Sequence, residues 1–177
     1  MAANAIPQVS IVFASEIDVA ATVRVVNAAF RTHVILTADR TSDEDIANEL
    51  WPGTRFIQIC EGDELAATAA VSPGLTLPAL LMDDFPGIEA TSSLYFGMAA
   101  VKPERMGHRL GARLLAEAEA LARAEGFVRV ILTTMEEMGN VAYYSRFGYR
   151  TVSVRELRAG YGSLVRSAHL HGMVKPL

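Results

Sequence analysis

The chain predicts an α/β (α+β) fold: a mixed, mostly antiparallel central sheet of about six to seven strands, with helices on both faces. Three observations carry that expectation. Short β-branched and apolar runs recur along the chain, separated by turn-forming Gly, Pro and Asp residues. Other stretches space their apolar residues three and four apart, as helices do. Residues 93–133 read strand, helix, strand, a crossover unit whose two strands run parallel.

Each element follows from local pattern. VSIVF (9–13) is rich in β-branched residues and reads as the first strand. Ser15 then offers an N-cap, with acidic Glu16 and Asp18 in the first turn, and Ile17, Ala20, Ala21, Val25, Ala28 and Ala29 continue helical spacing to about Phe30. Ser42, followed by Asp43, Glu44 and Asp45, starts a second short helix, with Ile46 and Leu50 on one face and a stop at Trp51-Pro52-Gly53. RFIQICE and LAATAAVS flank a turn at Glu61-Gly62-Asp63-Glu64 and form a hairpin. Residues 73–92 carry prolines at 73, 78 and 86 and read as a loop or insertion. SLYFGMAAV (93–101) is a buried strand in which Gly97 marks a bulge or a close backbone approach. A long helix spans about 106–125, with Leu110, Leu114, Leu115, Ala118, Leu121 and Ala122 on its apolar face. VRVILT (128–133) is the parallel partner strand. A short helix at about 141–147, a strand at 149–154 and a last strand in SAHLHGMVKPL complete one domain over 1–177.

Composition narrows the function classes. The 177 residues are 51% hydrophobic and 20% charged, enough apolar material for a sizeable core. The net charge of −4 argues against a nucleic-acid partner held by overall charge, but leaves room for a local anion site. Cys60 is the single cysteine, so no internal disulfide forms. MAANAIPQVSIVFASE lacks the basic start of a secretory leader, and the most apolar region, 65–82, is broken by Ser72, Pro73, Gly74 and Pro78. A soluble, cytoplasmic protein with no membrane partner is the expectation.

The stretch VKPERMGHRLGARLL is the most informative. Glycine inside a helix costs about 1 kcal/mol relative to alanine, yet Gly107 and Gly111 stand where the long helix begins. A helix start after a buried strand presents free backbone N–H groups and the positive end of the helix dipole, so it favours anions. Glycine there lets a phosphate reach the backbone. Neither GxxxxGK[ST] nor GxGxxG is present. Residues alone leave two readings open: a phosphate cradle, or a tight turn at Gly107 with close packing at Gly111.

Val101-x-Pro103 followed by Met106-Gly107-His108-Arg109-Leu110-Gly111-Ala112 resembles the acyl-CoA-binding motif of the GNAT-type N-acetyltransferases. Asn140-Val-Ala-Tyr-Tyr144-Ser-Arg-Phe-Gly148-Tyr149 resembles that family's Y-x-x-x-G-[FY] helix end. The element order agrees from about residue 9 to 177. Met106 stands where the family usually has Arg or Gln, and Arg109 where it usually has Gly. Arg109 is either a solvated helix-start side chain or a guanidinium that reaches a phosphate.

The resemblance implies a cytoplasmic acyltransferase. It implies that acetyl-CoA is the cosubstrate, bound by Met98, Ala99, Ala100 and Val101 along a strand that splays from its parallel partner. Met106, Gly107, His108, Arg109, Leu110, Gly111 and Ala112 would hold the pyrophosphate. Tyr144 is implied as the general acid beside the cofactor sulfur, the alternative being a core aromatic. Asn140 either bonds the pantetheine arm or caps the short helix. Backbone N–H groups near a bulge at 97–99 would polarise the thioester carbonyl. The acceptor is a primary amine of a small molecule, or alternatively a peptide or protein amine; a catalytically idle acyl-CoA-binding domain is the other alternative. Glu136, Glu137, Asp83 and Asp84 are candidates for the base or the acceptor wall, although such residues are more often solvated loop carboxylates. Phe30, His33 and Trp51 are candidates for lining the acceptor site. His169 and His171 alternate on one strand without a third ligand, so no metal is expected. Cys60 reads as a small core residue. The apolar tail and the 73–92 segment could form a homodimer contact.

Overall fold

The computed structural model describes residues 7–33, 35–36, 39–49, 51–162 and 164–177, with backbone only at 47–49. Leu50, expected on the face of the second helix, lies outside the described residues. Seven strands form one sheet in the order β1-β2-β3-β4-β5-β7-β6. They are β1 (Gln8–Phe13), β2 (Arg55–Glu61), β3 (Glu64–Pro73), β4 (Ser93–Val101), β5 (Arg129–Met135), β6 (Arg150–Leu157) and β7 (Ala168–Pro176). Every neighbouring pair is antiparallel except β4 and β5, which the long helix joins and which run parallel. The helices are α1 (Val19–Phe30), α2 (Asp43–Glu49), α3 (Ala79–Met82), α4 (Leu110–Ala124) and α5 (Asn140–Ser145).

The core is split by the sheet. On one face, α4 buries Leu110, Leu114, Leu115, Ala118 and Ala122 against Ile57, Ala67, Leu94, Phe96, Val130 and Leu132. α5 joins this face through Val141, Tyr144 and Phe147. On the other face, α1 buries Val25, Val26 and Ala29 against Leu65 and Ala100. Cys60 is half-buried beside this second cluster, and burial pushes its thiol pKa up. A side chain of this kind contributes apolar packing and little thiolate. Among the described residues, no helix is long and apolar enough to cross a membrane.

Three helix starts differ from expectation, each for a backbone reason. α1 begins at Val19 and not near Ser15. Ile17 is extended (φ −75°, ψ 150°), and Asp18 is the cap, its Oδ1 accepting the Ala21 N–H at 2.9 Å. Residues 14–16 form a single 3₁₀ turn, with the Phe13 N–H donating to Glu16. α4 begins at Leu110, four residues later than expected. Met106 is extended, and Gly107 (φ +84°) and Arg109 (φ +61°) are left-handed, so no helix can run through them. α5 begins at Asn140 itself. Gly139 (φ +74°) holds the cap position, so Asn140 is not the cap.

The proline-rich 73–92 segment packs as a layer on the sheet. Leu77 and Phe85 are buried with Ile131 and Val174. Asp84 is 3% exposed and takes two 2.9 Å hydrogen bonds from the Arg155 guanidinium on β6. Its carbonyl lies so close to β7 that a Cβ at Gly172 would sit 2.0 Å from it.

Candidate active site

The site begins where two strands part. β4 and β5 pair only from Ser93↔Arg129 to Tyr95↔Ile131. Beyond that, residues 96–101 of β4 have no partner on β5. On its other side β4 carries a bulge: Ala100 pairs with Thr68 and Gly97 with Ala70, so Met98 and Ala99 together oppose Ala69. Met98 sits in the left-handed region at φ +50°. An extra residue bends its strand and breaks the ladder locally. Met98 and Ala99 therefore have a partner in neither ladder. The Tyr95 hydroxyl and Thr133 Oγ1, 3.0 Å apart, bridge the start of the opening.

A cavity of about 840 Å³ fills the opening. That lies in the range of cofactor and small-molecule sites. Ala99, Ala100 and Val101 form its β4 wall. Met106, Gly107, Arg109, Leu110, Gly111 and Ala112 form a second wall, and Asn140, Tyr143 and Tyr144 a third. Phe30 and His33 close the α1 end. Of the residues expected to hold acetyl-CoA or act on its sulfur, the structure brings all but two to this cavity. Met98 lines a separate small cavity, and His108 is exposed and lines neither.

The turn into α4 is shaped for an anion. Arg109 occupies the cap position with no side-chain hydrogen bond to the helix start. The Arg113 N–H donates to Arg109 O at 3.0 Å, so the N–H groups just before it have no helical carbonyl to meet. The two glycines serve different ends. Gly107 has open space around it but a left-handed backbone, so its constraint is conformational. Gly111 is a matter of space: a Cβ there would stand 3.0 Å from the Tyr143 hydroxyl oxygen. Arg105, Arg109 and Arg146 also line the cavity. Arg105 pairs with Glu61 at 2.8 Å, whereas Arg109 and Arg146 pair with no carboxylate among the described residues. Arg146 stacks over the Tyr143 ring at 5.6 Å.

Tyr144 packs edge-on against Tyr143 (5.4 Å) and Tyr149 (5.9 Å). Burial pushes its pKa well above the usual tyrosine value, and the Tyr143 and Tyr95 hydroxyls push the same way. It therefore keeps its proton at neutral pH. His33 meets the Phe30 ring edge-on at 6.2 Å, and burial holds its pKa below the usual histidine value.

The carboxylates nominated from sequence stand elsewhere. Asp84 is committed to Arg155, and Asp83 is exposed and lines neither cavity. Glu137 accepts the His169 N–H at 3.0 Å and lies 2.9 Å from its Nδ1. Burial alone would raise the Glu137 pKa; the His169 contacts outweigh it and lower it. Glu136 lies 3.4 Å from His171 Nε2, whose ring Nδ1 meets Thr151. Among the described residues, no group of three His, Cys, Asp or Glu side chains could hold a metal. Trp51 lines the small cavity with Tyr95, its ring edge-on at 6.0 Å. Arg105 and Arg146 fall on variable positions of the two motifs, which carry no signal of their own, and Arg40, in the small cavity, sits in a loop with no motif at all.

The family model of the acetyltransferase (GNAT) family matches residues 23–149, from α1 through the end of the α5 motif. The chain belongs to the GNAT acetyltransferase family. This GNAT protein is thus an acyltransferase enzyme, of a family whose members in general transfer acetyl groups from acetyl-CoA to amine acceptors. Solved structures share its fold. The ribosomal-protein-S18-alanine N-acetyltransferase from Escherichia coli superposes with TM-score 0.69 at 16% identity, over 97% of this chain and 94% of that one. Ribosomal-protein-alanine N-acetyltransferase from Brucella melitensis gives 0.68 at 17% identity, over 96% and 99%. An N-acetyltransferase from Staphylococcus aureus Mu50 gives 0.67 at 10%, over 97% and 98%. At such identities the likeness is one of fold. No curated protein matches the chain in sequence.

Proposed function

We propose that the chain, as one domain, transfers the acetyl group of acetyl-CoA to a primary amine of a small molecule by direct attack on the thioester. One observation carries this: a single cavity joins the β4 bulge, the uncapped start of α4 and Tyr144. Acetyl-CoA supplies the activated acyl group. The residues present fit it. The 106–112 turn offers backbone donors with no helical partner, and Arg109 and Arg146 bring positive charge without a carboxylate to neutralise it. The strand edge at 98–101, unpaired toward β5, is open to an extended pantetheine arm. N–H groups at the bulge would hold the carbonyl oxygen. Tyr144 would hold a proton for the departing sulfur. His33 is the one imidazole or carboxylate among the described lining residues of the larger cavity, so proton removal from the acceptor falls to it.

The test is release of free CoA thiol from acetyl-CoA and an amine panel, alongside thermal shift. Transfer predicts a higher melting temperature with acetyl-CoA and thiol release that depends on the amine. A thermal shift without thiol release from any amine would favour an idle acyl-CoA-binding domain, the reading that Met106 and Arg109 suggest. No shift at millimolar acetyl-CoA would overturn both.

A further inference from the structure

We infer that the acceptor is an amine that also carries a carboxylate, and that Arg40 binds this carboxylate at the small cavity beside the bulge. The inference rests on the proposed function, because it takes the bulge as the place where the acetyl group sits.

A separate cavity of about 70 Å³ lies against the bulge. Gly97 and Met98 form part of its wall, with Trp51 and Tyr95 beside them. A liquid water occupies about 30 Å³, so this space suits a carboxylate and a carbon or two. Arg40 lines it. Its guanidinium also lies 5.8 Å over the ring of Phe30, which lines the larger cavity. Arg40 thus stands where the two cavities approach each other.

The charge pattern says what Arg40 is for. It is exposed and pairs with no carboxylate among the described residues, whereas Asp39 beside it in sequence is taken by Arg31. Several other arginines also lack a carboxylate partner among the described residues, but of the unpaired ones only Arg40, Arg109 and Arg146 line a cavity, and Arg40 alone lines the small one. No Asp or Glu is among the described residues lining either cavity. Among the described lining residues a polycationic amine would find no carboxylate to balance its charge, whereas a carboxylate meets a guanidinium without a carboxylate partner and suited to bidentate pairing.

The wall holds a further donor. Thr54 Oγ1 and Ser72 Oγ are 2.7 Å apart and nearly fully buried. One hydroxyl proton serves that bond, which leaves the other to donate elsewhere. On the same face of β3, Thr68 Oγ1 is buried with no partner. Thr68 lines neither cavity, so the hydroxyls that face this site are those of Thr54 and Ser72.

The experiment compares glycine and alanine with glycinamide and alaninamide, with spermidine and with an alanine-initiated peptide amide. CoA-thiol release is followed for the wild type, Arg40→Gln and Arg40→Lys. The wild type should prefer each amino acid over its amide by about tenfold or more in kcat/KM, since a site built for a polar group rejects analogues lacking it. Arg40→Gln should bring that preference near unity with an unchanged acetyl-CoA Kd, and Arg40→Lys should keep part of it. Calorimetric binding of N-acetylglycine should weaken about tenfold in Arg40→Gln, in line with the same lost contact. Equal or better use of amides, spermidine or the peptide would overturn the inference while leaving the transferase reading intact. So would a preference, or an N-acetylglycine affinity, that survives Arg40→Gln. Thiol release from no amine would overturn the transferase reading itself, and the N-acetylglycine titration would still decide the role of Arg40.

Discussion

In the proposed mechanism Tyr144 and His33 would divide the proton work between a group that keeps its proton and a group that lacks one. Tyr144→Phe should lower kcat by about 10²-fold, the lower end of general acid contributions, with the acetyl-CoA Kd unchanged; an equal kcat would remove the hydroxyl from the mechanism. Its raised pKa also has a stability consequence. A tyrosine whose folded-state pKa lies above the unfolded value of about 10 favours folding fully below that pH. The contribution is lost as pH rises through 10 toward the folded value, so melting temperature should fall above pH 10 less steeply in Tyr144→Phe. His33 is shifted the other way, so its neutral form persists below pH 6.5. The kcat/KM of His33→Asn should fall at least about tenfold at neutral pH and lose its acid limb; a wild-type profile would exclude it as the base. Arg109 explains its own oddity: the family prefers glycine where this backbone is left-handed (φ +61°). Arg109→Gly should relieve about 1–2 kcal/mol of strain but give back about 0.4–1 kcal/mol through a freer unfolded chain. Calorimetry should nonetheless show weaker acetyl-CoA binding; unchanged affinity would place the guanidinium in solvent.

At the scale of elements, the α4 start and the proline-rich segment behave differently. Gly111 lies in the first turn of α4, so Gly111→Ala gains about 1 kcal/mol of helix propensity while its Cβ pushes on the Tyr143 hydroxyl. The melting temperature should hold or rise and acetyl-CoA affinity should drop; the reverse pattern would make Gly111 a packing glycine alone. The 73–92 segment is anchored through Asp84, Arg155 and Gly172. Gly172→Ala would force a Cβ to 2.0 Å from the Asp84 carbonyl, and overpacking of this kind costs about 1–3 kcal/mol or more, measurable by urea denaturation. The sequence pattern reveals α4 well because its apolar residues repeat at helical spacing and its core face is continuous. It misplaces the start by four residues because periodicity cannot see the left-handed turns at Gly107 and Arg109. Gly172 leaves no local signal, since its neighbour is 88 positions away in sequence (172 less 84).

For the whole molecule, the parallel β4–β5 pair was legible because a strand, a helix and a strand in close succession admit one arrangement. The position of the split was not. It depends on the pairing of Ser93, Leu94 and Tyr95 alone with β5, and on a two-for-one bulge against β3. Both are long-range register properties that one strand's composition does not encode. The small cavity was illegible for the same reason: Arg40, Trp51, Ser72 and Tyr95 come from four separate segments. The central claim is that this split holds acetyl-CoA, and a crystal structure of the complex tests it most directly. That structure should show the pyrophosphate on the 106–112 backbone, the pantetheine arm along 98–101, and the thioester within reach of the Tyr144 hydroxyl. Acetyl-CoA bound away from the bulge, or with its sulfur remote from Tyr144, would contradict it.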